Sequence, residues 1–207
     1  MLTNKEPQVI KGLRDTAVAG LICLISVLAC GSDPAQAARL EGQQLDNTTA
    51  LAGRTLRLNG LGLRGVLWVK AFVAGLYLPA TSKDPNQILT MLGPKRLRLK
   101  VMLEAPSHEL TKSFQHGTSN ETESARQALA KRVEALSALI DGLDKVHPGD
   151  VLDLDYIPDL GVQLRHNDQP VGQPVPGEDL YRVVLKIFVG DRPVDKRMRE
   201  GLLRGGV

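Results

Sequence analysis

Apolar and polar residues alternate along much of the chain, and a period of two is typical of half-buried β-strands. Residues 66–78 are instead almost continuously apolar, which predicts a central strand with both faces covered. The strands expected from these patterns span residues 55–61, 66–78, 96–102, 151–156, 162–167 and 171–175.

Elsewhere apolar residues recur every three or four positions, which predicts amphipathic helices. Asn120 and Glu123 have the spacing of a capping box, so a long helix is expected to begin at Asn120 and end near residues 147–149. The other expected helices span residues 84–92, 107–117, 178–189 and 194–203. Because helices and strands do not alternate as βαβ units, the pattern indicates a single domain of the α+β class.

The N-terminus has the features of a targeting segment. A basic flank, an apolar stretch over residues 17–29 and the small-x-small site Ala-Gln-Ala at 35–37 predict a signal peptide over residues 1–37. The apolar stretch is shorter than the roughly 20 residues that a membrane span requires, although a retained anchor stays open. Residues 27–30 also resemble a lipoprotein box, in which Cys30 would carry a lipid. The domain over residues 38–207 is therefore expected to be periplasmic, contacting a membrane only during export or through that lipid.

Composition removes several function classes. Both cysteines, Cys23 and Cys30, lie in the leader, so the mature domain has no disulfide and no cysteine metal ligand. The net charge of +3 is dispersed, which argues against a nucleic-acid partner. The four histidines lack metal-ligand spacing, and neither a metal nor another cofactor is predicted. Asp153 and Asp155 share one face of a strand, but an outward polar face explains them better than a catalytic pair. The basic face of residues 96–102 is likewise expected to be solvated.

Candidate chemistry concentrates around Arg64. Glycines at positions 60, 62 and 65 predict a sharp turn between the strands 55–61 and 66–78. Arg64 lies in that turn, and a guanidinium offers a rigid fork of donors for a carboxylate, a phosphate or an enolate oxygen. The other interpretation is a turn arginine that binds only nearby carbonyls or carboxylates. Trp68 and Phe72 follow on the next strand, as pocket walls or as ordinary core residues.

The segment around Arg64 resembles the chalcone isomerase family, specifically the bacterial chalcone isomerase-like proteins. The resemblance continues through residues 93–97, 148–158, 177–180 and 189–193, and so covers nearly the whole mature chain. It implies an open-faced β-sandwich, in which an antiparallel sheet is covered on one face by helices. A cleft between the sheet and the helices would hold the ligand.

The resemblance also assigns roles to particular positions. Arg64 matches the catalytic arginine that steers a phenolate, whereas Phe72 and Ile187 stand where the isomerases have threonine hydroxyls. Asn120 is the nearest counterpart of the asparagine that helps to polarise the carbonyl. Losing one oxyanion donor typically costs about 10²–10³ in rate, so flavonoid isomerase activity is not expected. Fatty-acid-binding relatives keep the arginine as a carboxylate clamp.

The expected function is therefore the binding of a small apolar acid or fatty acid by an exported, monomeric protein. The residues expected to line its site are Arg64, Trp68, Phe72, Asn120 and Ile187. Two alternatives stay open. One is an isomerase or intramolecular lyase that uses Arg64 on an unidentified enone or phenol. The other is an envelope interaction protein with a vestigial cleft.

Overall fold

The computed structural model describes residues 37–66 and 68–206, so all of the predicted signal peptide except Ala37 lies outside the described residues. The strands are β1 (Ala37–Leu40), β2 (Gln43–Asp46), β3 (Thr48–Leu51), β4 (Arg54–Val66), β5 (Val69–Leu78), β6 (Lys95–Val101), β7 (Ala105–Pro106), β8 (Lys145–Val146), β9 (Val151–Ile157), β10 (Gly161–His166) and β11 (Gln169–Val175). The helices are α1 (Pro85–Thr90), α2 (His108–Thr118), α3 (Glu123–Asp141), α4 (Glu178–Val189) and α5 (Lys196–Leu202). Within the described residues no helix is long and apolar enough to cross a membrane.

Seven strands form one antiparallel sheet in the order β11-β10-β9-β6-β5-β4-β3. The helices pack on one face of it, and the main hydrophobic core lies between the two layers. Leu76, Leu97 and Leu154 contribute from the sheet, and Leu180 and Val184 contribute from α4; all five are buried. The predicted α+β fold, an antiparallel sheet covered by helices, is confirmed.

The opposite face of the sheet is covered in part by the β1–β2 hairpin, in a region where the sequence shows few strong signals. Leu45 of this hairpin packs into a second apolar cluster together with Leu58 and Val73. The Tyr77 hydroxyl donates to the Asp46 carbonyl at 2.9 Å, which ties the hairpin to β5. Burial raises the pKa of Tyr77 to about 12.

The prediction of a turn over residues 60–65 is wrong. Strand β4 continues to Val66, which pairs with Val69 of β5, so Arg64 is a strand residue paired with Phe72. The glycines serve a different purpose, because α5 lies directly on them. A Cβ atom on Gly60 would lie 2.7 Å from the Leu202 carbonyl oxygen, and one on Gly62 would lie 2.6 Å from Met198 Cγ.

The prediction of a solvated polar face on β6 and β9 is also wrong. Arg96 donates from Nε and Nη2 to Asp155 at 2.6 and 2.7 Å. Arg98 binds Asp153 in the same forked way, with both distances 2.7 Å. The two aspartates are at most 1% exposed. Each pair is directly opposed in the β6–β9 register, and the β1–β2 hairpin reaches the same face, where the Gln44 carbonyl accepts from Lys100 Nζ at 3.0 Å.

The helices begin and end close to the predicted limits, with one correction. Helix α3 begins at Glu123, and its cap is Thr122, whose hydroxyl accepts the Ala125 N–H at 3.3 Å. Asn120 is therefore not the cap; its side chain donates to the Gly117 carbonyl at 3.3 Å instead. The helix ends at Asp141, about a turn and a half earlier than expected.

Candidate functional site

An apolar cavity lies between the sheet and the helices α2, α3 and α4. The space open to the centre of a water molecule inside it is about 70 Å³. Its apolar walls are Phe72, Leu99, Leu152, Leu154 and Leu164 from the sheet, Leu110, Phe114, Leu136, Ile140, Val184, Ile187 and Phe188 from the helices, and Leu143 and Val194 from the connections.

Arg64 reaches this cavity from β4, next to the irregularity in pairing between Arg64 and Gly65. Its Nη1 donates to the Val194 carbonyl at 3.0 Å and lies 3.4 Å from Asp195 Oδ2. The other oxygen of Asp195 accepts the Met198 N–H at 2.9 Å, so Asp195 also caps α5. The segment that leads into α5 therefore holds Arg64 by one nitrogen.

Two nitrogens of the Arg64 guanidinium are not used by the described part of the protein. Among the described residues, neither its Nε nor its Nη2 has a hydrogen-bond partner. The side chain is 28% exposed, which places the guanidinium at the rim of the cavity and not in its interior. A guanidinium can bind a carboxylate through two parallel N–H groups, and these two nitrogens form one such fork.

The cavity lining carries little other polar chemistry. Apart from Arg64, the polar lining side chain is Ser113, whose hydroxyl donates to the Glu109 carbonyl at 3.1 Å. No carboxylate, imidazole, lysine or tyrosine lines the cavity among the described residues. The polar chemistry of this lining is therefore the guanidinium of Arg64 together with one serine hydroxyl. The described residues also include no cluster of three or more potential metal ligands from His, Cys, Asp and Glu.

The structure brings three of the five predicted site residues together. Arg64, Phe72 and Ile187 all line the cavity. Trp68 does not; it lies at the end of the β4–β5 hairpin and is 83% exposed. Asn120 is also outside the cavity, in a separate polar depression beside α1 and the end of α4. The reason is its position beyond the end of α2, on the far side of Ile187 from the cavity.

Asp195 is the functional candidate that sequence reasoning missed. Its position three residues before Met198 is a recognisable N-cap signal for α5, and that part could have been predicted. Its contact with Arg64 joins residues that are 131 positions apart in the chain, and no local sequence pattern predicts such a pair. The helical lining residues were visible only as an amphipathic stripe, which predicts burial and not a cavity.

Comparison with known proteins identifies the family. The sequence model described as chalcone isomerase-like matches residues 37–204. The chain belongs to the chalcone isomerase-like family. No curated protein matches this chalcone isomerase-like chain significantly in sequence. Among solved structures, a fatty-acid binding protein from Arabidopsis thaliana superposes with a TM-score of 0.61 and 17% identity, covering 82% of this chain and 96% of that one. At that identity the likeness shows the shared fold alone.

Proposed function

We propose that this chalcone isomerase-like protein binds a small apolar carboxylic acid, with the carboxylate on Arg64 and the alkyl tail in the cavity. The observation that carries the proposal is one arginine at the rim of a cavity whose walls are otherwise almost entirely aliphatic and aromatic. Burial of an apolar tail stabilises by roughly 25 cal/mol per Å² of surface removed from water. The guanidinium supplies orientation and selects an anion.

The ligand's carboxylate would share Arg64 with Asp195. Asp195 contacts only Nη1, at 3.4 Å, which is long for a charge-assisted hydrogen bond. A bound carboxylate could therefore use the Nε and Nη2 side of the guanidinium without displacing Asp195 from its capping position on α5. This geometry favours an acid over a neutral ligand.

The size of the cavity favours a short or medium-length tail. The space open to the centre of a water-sized sphere is about 70 Å³, which fits a narrow alkyl chain. A long acyl chain requires the surrounding side chains to move, and close-packed interiors resist such movement. The fatty-acid binding protein that shares the fold supports the same ligand class.

The apolar walls also support a protein without flavonoid isomerase activity. Phe72 and Ile187 line the cavity and carry no hydrogen-bond donor that could stabilise a developing oxyanion. Arg64 alone is then a binding group and not part of a catalytic set.

We retain the proposal that residues 1–37 are a signal peptide and that the domain acts in the periplasm. Its support is the apolar stretch followed by Ala-Gln-Ala at residues 35–37. Intact-mass measurement of the exported protein distinguishes cleavage after Ala37 from lipidation at Cys30.

Calorimetric titration with straight-chain acids of increasing length tests the binding proposal. Arg64→Ala should weaken binding by about 2 kcal/mol, roughly 30-fold, because a charge-assisted hydrogen bond is lost. Arg64→Lys should restore only part of the affinity, since an ammonium cannot form the bidentate fork. Arg57→Ala is the matched control, because Arg57 lies on the same strand but is exposed and does not line the cavity. Equal affinity in the wild type and Arg64→Ala would refute the proposal.

A further inference from the structure

Exposed apolar side chains gather at one end of the sheet. Of the five large apolar residues that are exposed in the described chain, three lie there: Trp68 at 83%, Val69 at 43% and Leu103 at 45%. Leu103 is brought beside the other two by its backbone, because its N–H and that of Met102 both donate to the Ala71 carbonyl, at 3.3 and 2.8 Å. We call Trp68, Val69 and Leu103 the apolar tip.

The apolar tip projects beyond the body of the sheet. Strand β6 pairs with β5 only as far as Phe72, which is opposite Val101. Past that point Met102 and Leu103 still donate to the Ala71 carbonyl, and β4 and β5 continue to pair with each other as far as Val66 and Val69. The tip therefore consists of the narrow end of the β4–β5 ribbon, which carries Trp68 and Val69, with Leu103 exposed on the neighbouring segment that follows β6.

Cations lie beside β4, just before the point where this ribbon begins. Lys196, Arg197 and Arg204 line a broad surface depression whose opposite wall is formed by β4 between Leu61 and Gly65. All three are exposed, and residues 191–204 contain five Lys or Arg against three Asp or Glu. One of those three acids, Asp195, is already paired with Arg64.

We propose that the apolar tip inserts into the interfacial region of an anionic lipid bilayer, with Lys196, Arg197 and Arg204 facing the lipid phosphates. Tryptophan combines an apolar ring with a polar N–H and prefers this region. Lysine and arginine close to an anionic surface strengthen binding by about five-fold each. A protein partner fits less well, because a stable protein interface buries about 800 Å² on each side, far more than a narrow convex ribbon presents.

Docking in this orientation would also bring the cavity close to the lipid. Arg64 lies two residues before the end of β4, between the tip and the apolar cavity. An acid dissolved in the bilayer would then meet the guanidinium without crossing bulk water. The docking proposal itself does not depend on which ligand the cavity takes.

The chain contains one tryptophan, so Trp68 is its own reporter. The full-length protein is mixed with vesicles containing phosphatidylglycerol, or with vesicles of phosphatidylcholine alone, each carrying a share of lipids brominated on the acyl chain. The proposal expects a blue shift and quenching of Trp68 emission with the anionic vesicles, and loss of both at high salt. If the leader alone attached the protein, it would sediment with vesicles while Trp68 stayed unquenched. That result would overturn the proposal. A blue shift of Trp68 emission that depends on protein concentration in the absence of lipid would also overturn it, because it would indicate that a second copy of the protein covers the tip.

Matched variants keep Trp68 as the reporter. Val69→Asp places a charge in the tip and should weaken vesicle binding about ten-fold or more. Its control is Leu92→Asp, since Leu92 is 80% exposed but follows α1 at the opposite end of β6. Arg197→Ala should weaken binding about five-fold, whereas Lys131→Ala on the exposed side of α3 should not. Equal effects of Val69→Asp and Leu92→Asp, or of the two cation variants, would contradict the proposal.

Discussion

Replacing Asp155 by alanine should destabilise the protein severely, because it would leave a charged Arg96 in a dry environment. The Asp155 carboxylate is fully buried, and both of its oxygens accept from Arg96, at 2.6 and 2.7 Å. The side chain of Arg96 is itself only 8% exposed. Removing one partner of a buried ion pair typically costs about 3–5 kcal/mol, since the remaining charge has lost its water and its counter-ion.

The structure places this variant near the lower end of that range. Arg96 Nε also lies 3.4 Å from Asp153 Oδ2, and its Nη1 donates to the Thr49 hydroxyl at 2.9 Å. These contacts remain in the variant and partly compensate the guanidinium. We therefore expect a loss of about 3 kcal/mol, a large fraction of the roughly 5–15 kcal/mol that stabilises an ordinary domain.

Urea unfolding followed by circular dichroism measures this loss as a shift of the midpoint at constant slope. Glu109→Ala is the control, because its pair with Lys112 is more than half exposed and water screens it, so the midpoint should hardly move. The double variant Arg96→Met/Asp155→Leu should be more stable than Asp155→Ala, since it removes both buried charges. A loss below about 1 kcal/mol for Asp155→Ala would show that this face of the sheet is hydrated.

Three further predictions concern activity, packing and pH. The protein should not accelerate ring closure of a hydroxychalcone, because Phe72 and Ile187 offer no donor to the carbonyl; enantioselective turnover in a spectroscopic assay would favour the enzyme alternative. Gly62→Ala should lower the melting temperature by displacing α5, since the new Cβ would lie 2.6 Å from Met198 Cγ. Gly142→Ala is the control and should be tolerated, because the atom nearest to its new Cβ would be 3.3 Å away. Equal losses of melting temperature in Gly62→Ala and Gly142→Ala would contradict the close packing of α5 on β4. Burial raises the pKa of all three tyrosines, and it raises that of Tyr77 to about 12. The folded protein is therefore stabilised by keeping Tyr77 neutral. This contribution is complete below about pH 10 and is lost as the pH rises through 12. Absorbance titration should therefore show tyrosinate forming together with unfolding, and ionisation of all three near pH 10 in a folded protein would refute this.

Local periodicity was sufficient for most of the secondary structure. The limits of α4 agree with the apolar stripe over residues 178–189. A helix with one buried face has apolar residues every three or four positions, and this spacing is visible in the local sequence. The alternation along β6 correctly divides its residues between two faces for the same reason. Pattern alone could not say that both faces are buried, since the covering β1–β2 hairpin comes from a distant and featureless segment.

The residue type at the candidate site was also predictable, but its setting was not. The arginine beside three glycines was visible in the sequence, as were the apolar residues at positions 72 and 187. Glycine permits either a turn or the close approach of another element. Here the glycines allow a close approach, as the packing of α5 on Gly60 and Gly62 shows. The same docking brings Asp195 to Arg64 and leaves Trp68 at the projecting end of the hairpin. Local sequence therefore determined which elements form and which chemistry they carry. Contacts between residues far apart in the chain decided where the arginine points, what it binds and which apolar side chains remain in solvent.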